Sequence, residues 1–336
     1  MPKQKHINIA AVGSNGHQII DLIFGLKTAR LVAISNFDSV ALSQIKKSYP
    51  KVLKGVPEYD SLDDVLNKSD CELVSLCSTR RDQQGDHILS CLKAGRHVLA
   101  EKPLCTSLEK LKEIRKIAQK KKLKVWAMMN MVYMPVFRNF EHLVRQGKIG
   151  EVVQVIAQKS YKFGSYRPQD RGIDGGIIQS AIHAISYVRS VTRLEFIEIC
   201  AFENKVGNPG SGELQMAFAL SARLSNGALC QISANYLNPN SMPQWGNDQL
   251  RIFGTRGMLE AVDSLTRVSF FSERKALRYD QKPEYPNYLS DLLKEVLTQK
   301  PAYLTMEDSL RCTEIAIEAQ RSANEGGKMR CLSFGR

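Results

Sequence analysis

The chain has no Cys-x-x-Cys pair, no His-Glu-x-x-His and no apolar run of bilayer length, and each absence removes a class of protein. Its eight cysteines (Cys71, Cys77, Cys91, Cys105, Cys200, Cys230, Cys312, Cys331) are scattered, several of them inside apolar stretches. That usage fits buried, reduced thiols and not a secreted disulfide framework. The six histidines stand apart, so no metal-ligand spacing exists and no metal is expected. A membrane helix needs roughly 20 apolar residues, and the apolar stretches here, such as residues 7–12 (interrupted by Asn8) and 31–34, fall far short. No membrane association is expected. Residues 1–6 run directly into a strand-like segment, without the apolar core of a signal peptide or the Arg/Ser-rich character of a transit peptide, so a cytoplasmic location is expected. Internal repeats and low-complexity segments are also missing.

What is present is a folded, basic chain of 336 residues, 43% apolar, with 47 Lys and Arg against 34 Asp and Glu, a net charge of +13. This length exceeds the roughly 100–200 residues of one typical domain, and the rhythm of the sequence divides it in two. Across residues 1–125, short β-branched runs alternate with helical periodicity: strands at 7–12, 30–35, 72–77, 97–100 and 124–129, and helices at 17–29, 39–48, 61–68, 82–94 and 107–121. Strands joined by crossover helices predict a doubly wound parallel sheet. Residues 126–336 read differently, with helices at 135–146 and 176–191, a long strand at 152–163, and a run of alternating strands from 196 to 271. Two helices, 288–298 and 306–324, close the chain. The predicted fold class is α/β: an N-terminal Rossmann sheet plus a C-terminal α+β domain with a large, mostly antiparallel open sheet.

The first strand ends in Val12-Gly13-Ser14-Asn15-Gly16-His17-Gln18 and opens a helix. A dinucleotide pyrophosphate binds at such a turn, where glycine lets the backbone approach and the helix N-terminus favours the anion. Against Gly-x-Gly-x-x-Gly, Gly13 fits, Asn15 stands at the second glycine, Gly16 follows it and Gln18 stands at the third; Asn tolerates positive φ better than most residues. An acid is expected about 20 positions on, at the end of the second strand, to take the ribose hydroxyls. Asp38 is the candidate, with Asn36 directly after the strand and no Arg to hold a 2′-phosphate. NAD is therefore favoured, with NADP not excluded.

Residues 94–104 read Ala-Gly-Arg-His-Val-Leu-Ala-Glu101-Lys102-Pro103-Leu104, and with them the sequence resembles the Gfo/Idh/MocA family of NAD(P)-dependent oxidoreductases. Further matches are Gly147-Lys-Ile-Gly150-Glu, Gly175-Gly176 followed by Ile182-His183-Ala-Ile, Arg251-Ile-Phe-Gly254-Thr-Arg-Gly257 and Glu307-Asp308-Ser-Leu-Arg-Cys-Thr-Glu314, which together cover nearly the whole chain in order. The resemblance implies chemistry on a secondary alcohol of a sugar, cyclitol or related polyol, in a cleft between the domains of a homodimer or homotetramer. It places Glu101 and Lys102 beside the nicotinamide. Lys102 is then the acid/base, tuned by burial, or the cation that stabilises developing oxyanion charge. His183 is its implied partner. Gln179 aligns with the family's Asp in D-x-G-x-H, and because an amide accepts no proton at neutral pH, Gln179 is left to orient substrate by hydrogen bonds.

The loop Ser78-Thr79-Arg80-Arg81-Asp82-Gln83-Gln84 matches the family's cofactor loop, with Arg80 in place of its proline and Gln84 in place of its frequent His. Ser78, Thr79, Arg80 and Gln84 are candidate cofactor contacts, as are Asn15, Gly16 and His17. Asn130 and Tyr133 match family substrate residues, while Val132 replaces a commonly basic one, which points to a less anionic substrate. Tyr161, Tyr166, Arg167 and Arg171, at and beyond the end of the long strand, are placed over the substrate.

Alternative readings are an NAD-assisted lyase, hydrolase or epimerase acting on a sugar, and a non-catalytic dinucleotide-binding protein. A nucleic-acid partner is not expected, because no aromatics interleave the basic residues and no recognition motif is present. The positive charge is local: residues 1–125 hold 22 Lys and Arg against 13 Asp and Glu, with eight basic residues between 110 and 124. Their spacing predicts the solvated face of a helix with Leu111, Ile114, Ile117 and Ala118 beneath.

Overall fold

The computed structural model describes residues 6–164, 167–272, 276–278 and 287–332; Tyr166 lies outside these. The chain forms two compact units. Residues Met1–Met129 and Pro286–Thr313 make the first, and Asn130–Tyr285 and Glu314–Arg336 the second. The expectation of two consecutive domains misses this return of the chain to its first unit.

The first unit alternates β1 (Ile7–Val12), α1 (Ile20–Ile23), β2 (Ala29–Ser35), α2 (Ser39–Ser48), α3 (Pro50–Leu53), β3 (Glu58–Tyr59), α4 (Leu62–Lys68), β4 (Leu73–Leu76), α5 (Arg81–Lys93), β5 (His97–Ala100), α6 (Leu108–Lys121) and β6 (Val125–Ala127). Its six strands pair in the order β3-β2-β1-β4-β5-β6, all parallel. The order reverses between β1 and β4, which is where a doubly wound sheet opens a crevice at the carboxyl ends of its strands. Burial on both faces explains why β1, β4 and β5 read as nearly continuous apolar runs. One element is far shorter than expected: the helix predicted over 17–29 is the four-residue α1, because the turn extends through Gln18 and Gly25 takes a left-handed φ of 87° just past the helix. In α6, Leu111, Ile114 and Ala118 are buried as predicted and Ile117 is half-buried, under a face of lysines.

The second unit begins with a 3-10 turn, Asn130–Tyr133, and continues through α7 (Pro135–Arg145), β7 (Val152–Lys162), α8 (Arg171–Asp174) and α9 (Ile178–Thr192). It then runs through β8 (Phe196–Asn204), β9 (Ala217–Leu224), β10 (Leu229–Asn238), β11 (Gln249–Gly254), β12 (Gly257–Val262), β13 (Arg267–Ser272) and β14 (Ala276–Arg278). Helix α10 (Tyr288–Thr298) returns to the first unit, α11 (Met306–Asn324) is shared between the two, and β15 (Arg330–Cys331) finishes the second sheet. The nine strands lie in the order β14-β13-β12-β11-β7-β10-β9-β8-β15. The β7–β10 pair is parallel and the other neighbours are antiparallel. Helix α9 packs on β7 and β10, and Phe137 of α7 stacks on Tyr187 of α9 at 4.4 Å between ring centroids. The opposite face shows the strict alternation of a half-solvated sheet, as in β9.

Candidate functional site

In the first unit the candidate residues gather at the carboxyl ends of β1, β2, β4 and β5. Gly13 follows β1 with φ 77°, and its amide donates to the Ser35 carbonyl at 2.8 Å. A Cβ there would lie 2.0 Å from the Cys77 carbonyl oxygen, so only glycine lets the turn pass β4. Asn15 donates from its amide side chain to the Thr79 carbonyl at 2.9 Å, tying the turn to the β4 loop. Gln18, in place of a third glycine, donates to the carbonyls of Val12 (3.1 Å) and Gly13 (2.7 Å) and accepts from Ser75 Oγ (2.9 Å). Its side chain thus stitches β1 to β4.

Glu101 and Lys102 stand just past β5 and are buried. One Glu101 oxygen accepts the His17 backbone N–H at 2.8 Å and meets His17 Nδ1 at 3.0 Å; the other lies 3.3 Å from Lys102 Nζ. Burial pushes the Glu101 carboxyl up, but Lys102, His17 and Arg81 outweigh it and hold it well below the usual carboxylate range. Glu101 therefore bridges the glycine turn and the lysine; its carboxylate is engaged on both sides.

Gln84 is fully buried and donates to the carbonyls of Glu101 (2.5 Å) and Pro103 (2.8 Å), while its oxygen accepts from Arg81 Nη1. Arg81 in turn donates to the Asn15 carbonyl at 2.7 Å. Gln84, expected as a cofactor contact, holds the Glu-Lys-Pro segment and, through Arg81, the glycine turn. Arg80 is drawn into an ion pair with Asp82 at 2.8 Å. Asp38 caps α2 by accepting from Val40 and Ala41 N–H, and its second oxygen accepts from Ser14 Oγ at 2.6 Å. The Ala41 amide and Ser14 lower its pKa. Asn36 takes a left-handed φ of 56° and is exposed beside it.

Gly13, Asn36, Ser78 and Thr79 line a cavity of about 390 Å³ together with Ser61, Asp63, Gln83 and His87. Ser78 Oγ sits 2.8 Å from His87 Nδ1, and burial lowers the pKa of that histidine. The cavity lies at the switch point of the sheet, past the carboxyl ends of β1 and β4 and lined by hydroxyl, amide and imidazole groups, and such a place fits a dinucleotide. A larger open groove of about 520 Å³, lined by Phe24, Arg30, Lys51, Val52 and Lys54 among others, lies by the amino ends of the strands and contains none of the candidates. Ser14, Gln18, Arg81 and His87 were not found by sequence reasoning. Only the i+3 spacing of Arg81 and Gln84 on one helix face hints at their pairing.

In the second unit Gln179 and His183, four residues apart on α9, are both buried. Gln179 Nε2 donates to Tyr236 OH at 3.0 Å and to Ser180 Oγ at 3.1 Å. The Arg167 guanidinium lies 4.4 Å from the centroid of the Tyr236 ring and 5.7 Å from that of Tyr161. Burial raises the Tyr236 hydroxyl. The structure thus joins Gln179, Tyr236, Arg167 and Tyr161 in one network. Arg171, expected beside them, instead pairs with Glu203 at 2.7 Å. Asn130 is exposed at the start of the 3-10 turn and Tyr133 is buried at its end. Tyr236 was not foreseen, lying on a strand far from the motifs.

A doubly wound parallel sheet with a glycine turn at its switch point is the arrangement of a dinucleotide-binding protein, and here a buried Glu-Lys pair is held against that turn. The NAD-binding Rossmann profile of the Gfo/Idh/MocA oxidoreductases matches residues 7–129 and the Gfo/Idh/MocA C-terminal domain profile matches residues 137–260. The chain belongs to that family: it is an oxidoreductase whose cofactor is NAD. It is 26% identical over 324 residues to the uncharacterized oxidoreductase YhhX of Escherichia coli (strain K12), covering 87% of this chain and 92% of that one. A solved Thermotoga maritima protein superposes with a TM-score of 0.89 at 29% identity, over 97% of this chain and 100% of its own. The WlbA dehydrogenase of Bordetella pertussis, solved with NADH and UDP-GlcNAcA, has the same fold at TM-score 0.82 and 18% identity, over 98% of this chain and 100% of that one. Among the described residues no helix is long and apolar enough to cross a membrane.

Proposed function

We propose that the protein transfers a hydride between NAD and a secondary alcohol of a sugar, cyclitol or related polyol, in the cytoplasm, as a homodimer or homotetramer. The observation that carries this reading is the buried Lys102, held by Glu101, which itself clamps the glycine turn through His17. When bound, NAD supplies the hydride acceptor. In the oxidation direction Lys102 would take the hydroxyl proton as the neutral amine and become the ammonium that the Glu101 carboxylate stabilises; in the reverse direction the ammonium would return that proton to the oxygen. Gly13, Asn15, Gly16, His17, Asn36, Asp38, Ser78 and Thr79 are assigned to the dinucleotide. In the second unit His183, Gln179, Asn130, Tyr133, Tyr161 and Arg167 are assigned to the substrate, Gln179 by hydrogen bonds. Two glycosyl-type relatives by fold, WlbA and an aldose-aldose oxidoreductase of Caulobacter crescentus, support a sugar-like substrate.

Melting the protein with NAD, NADH, NADP and NADPH, then with sugars and polyols in the presence of the best cofactor, tests the pairing of ligands. Lys102→Ala is expected to keep NAD binding and to lose about 100- to 10,000-fold in turnover, the range of a positioned acid/base. Turnover that survives this substitution overturns the assignment.

A further inference from the structure

Resting on that reading, we propose that Lys159 and Asp248 form a hydroxyl-binding pair that takes one alcohol group of the polyol substrate, Lys159 donating a hydrogen bond to its oxygen and Asp248 accepting one from its O–H.

The two residues stand on neighbouring strands of the second sheet, Lys159 on β7 and Asp248 immediately before β11. Lys159 Nζ lies 2.7 Å from Asp248 Oδ2, with side chains 5% and 13% exposed. A buried ion pair is costly unless its remaining donors and acceptors are satisfied. This one is incomplete. Asp248 Oδ1 is buried and accepts no hydrogen bond from the described residues. Lys159 has three donors; its other contacts are Met131 Sδ at 3.9 Å and the face of the Tyr161 ring, 4.8 Å from the centroid. One donor and one acceptor therefore stand side by side, and a hydroxyl, which accepts and donates at once, satisfies both.

The surroundings point the same way. Lys159 and Tyr161 share a face of β7, and Tyr161 is also under Arg167, which reaches Tyr236 and through it Gln179. Met131 belongs to the 3-10 turn between the substrate candidates Asn130 and Tyr133. The pair is thus the far end of the network already assigned to the substrate, and not a separate structural bridge. Burial pushes the lysine down and the aspartate up, opposing the pull of each on the other.

The test is the double variant Lys159→Met/Asp248→Asn, which removes both charges at nearly constant volume and strands neither. Myo-inositol, D-sorbitol, D-glucose and D-xylose are the probes, each read by NADH formation and by thermal shift in the presence of saturating NAD. The wild type is expected to be shifted by at least one probe. The double variant is expected to melt, without polyol, within about 2 °C of wild type and to bind NAD unchanged. Its KM for the responding probe is expected to rise about 10- to 100-fold, as losing charge-assisted hydrogen bonds does. A double variant with unchanged KM and unchanged polyol shift, or one that melts more than 5 °C lower, shows a structural pair and overturns the inference. If the wild type is shifted by a polyol that it does not oxidise, the hydride-transfer reading fails while the loss of that shift in the variant still supports the pair. If no probe shifts the wild type, the pair is not a polyol site.

Discussion

Glu101 is the residue on which the cofactor side of the proposed site turns. Its carboxylate meets a backbone amide, an imidazole and an ammonium within 3.3 Å, from a side chain that is 2% exposed. The folded pKa lies below that of an unfolded glutamate, about 4.3. The stability it contributes is therefore complete above that value and is lost as pH falls through the depressed folded pKa. Glu101→Gln leaves Lys102 buried without its counter-charge, a change that costs about 3–5 kcal/mol at neutral pH. Urea unfolding from pH 7 to pH 3 should show the gap between variant and wild type widest at pH 7 and closing with acid; a gap independent of pH would mean that the charge of Glu101 plays no part. Gly13, Glu101 and Lys102 were legible as candidates because each belongs to a contiguous motif, Gly13 to the turn after the first strand and Glu101 and Lys102 to the segment 94–104 that carries the resemblance. Lys159 and Asp248 were not, because they are 89 positions apart and meet only when β7 pairs with β11. Asn36, Asp38, Ser78 and Thr79 were placed correctly at strand ends, but the hydroxyl of Ser14 that engages Asp38, and the imidazole beside Ser78, depend on loops meeting across the sheet.

Among the elements, α5 does more than cross over from β4 to β5. Its first turn projects Arg81 to the glycine turn and Gln84 to the Glu-Lys-Pro segment, so one helix end sets both halves of the proposed cofactor site. Gln84→Leu keeps the volume and removes the donor to two buried carbonyls and the acceptor for Arg81. At about 1–3 kcal/mol for each buried group left unsatisfied, a loss of about 3 kcal/mol or more in urea is expected, together with weaker NAD binding measured by fluorescence titration. Stability within 1 kcal/mol of wild type would return Gln84 to the role of a ligand contact. Elements bounded by local signals, such as β5, α10 and α11, lie where periodicity put them, whereas α1 does not, since the apolar spacing of residues 19–26 persists after the backbone has left the helix. The basic run of α6 and its following turn is also more than a solvated face. Arg115 pairs with Glu307 at 3.0 Å and Lys124 with the buried Glu295 at 2.6 Å, so two of its cations hold the returning segment 286–313 against the first sheet.

On the scale of the whole molecule, that return is what sequence rhythm could not disclose: helical periodicity at 288–298 says that a face is buried, not which sheet buries it. That the first sheet is parallel was legible because crossover helices leave few alternatives; its order was not read. The antiparallel second sheet was legible as a class, but its order was not, since β7 and β10 pair in parallel across a long connection. The open face of that sheet bears on assembly. One side of β7 and β10 is covered by α9, while the other presents Gln154, Ile156, Leu229 and Gln231, with Phe253 and Arg251 alongside on β11. Leu229 is 57% exposed. A broad sheet face with apolar groups among polar ones is the surface that a second copy of the chain would cover in the proposed dimer or tetramer. Ile156→Lys puts a charge at the middle of this face and leaves the helix-packed side untouched. Light scattering coupled to gel filtration is expected to give a multiple of the chain mass for wild type and the single-chain mass for the variant, with the melting behaviour toward NAD retained, because the cavity proposed for the dinucleotide is built entirely from the first unit. A wild type that elutes as a monomer, or a variant whose mass is unchanged, removes this face from the assembly.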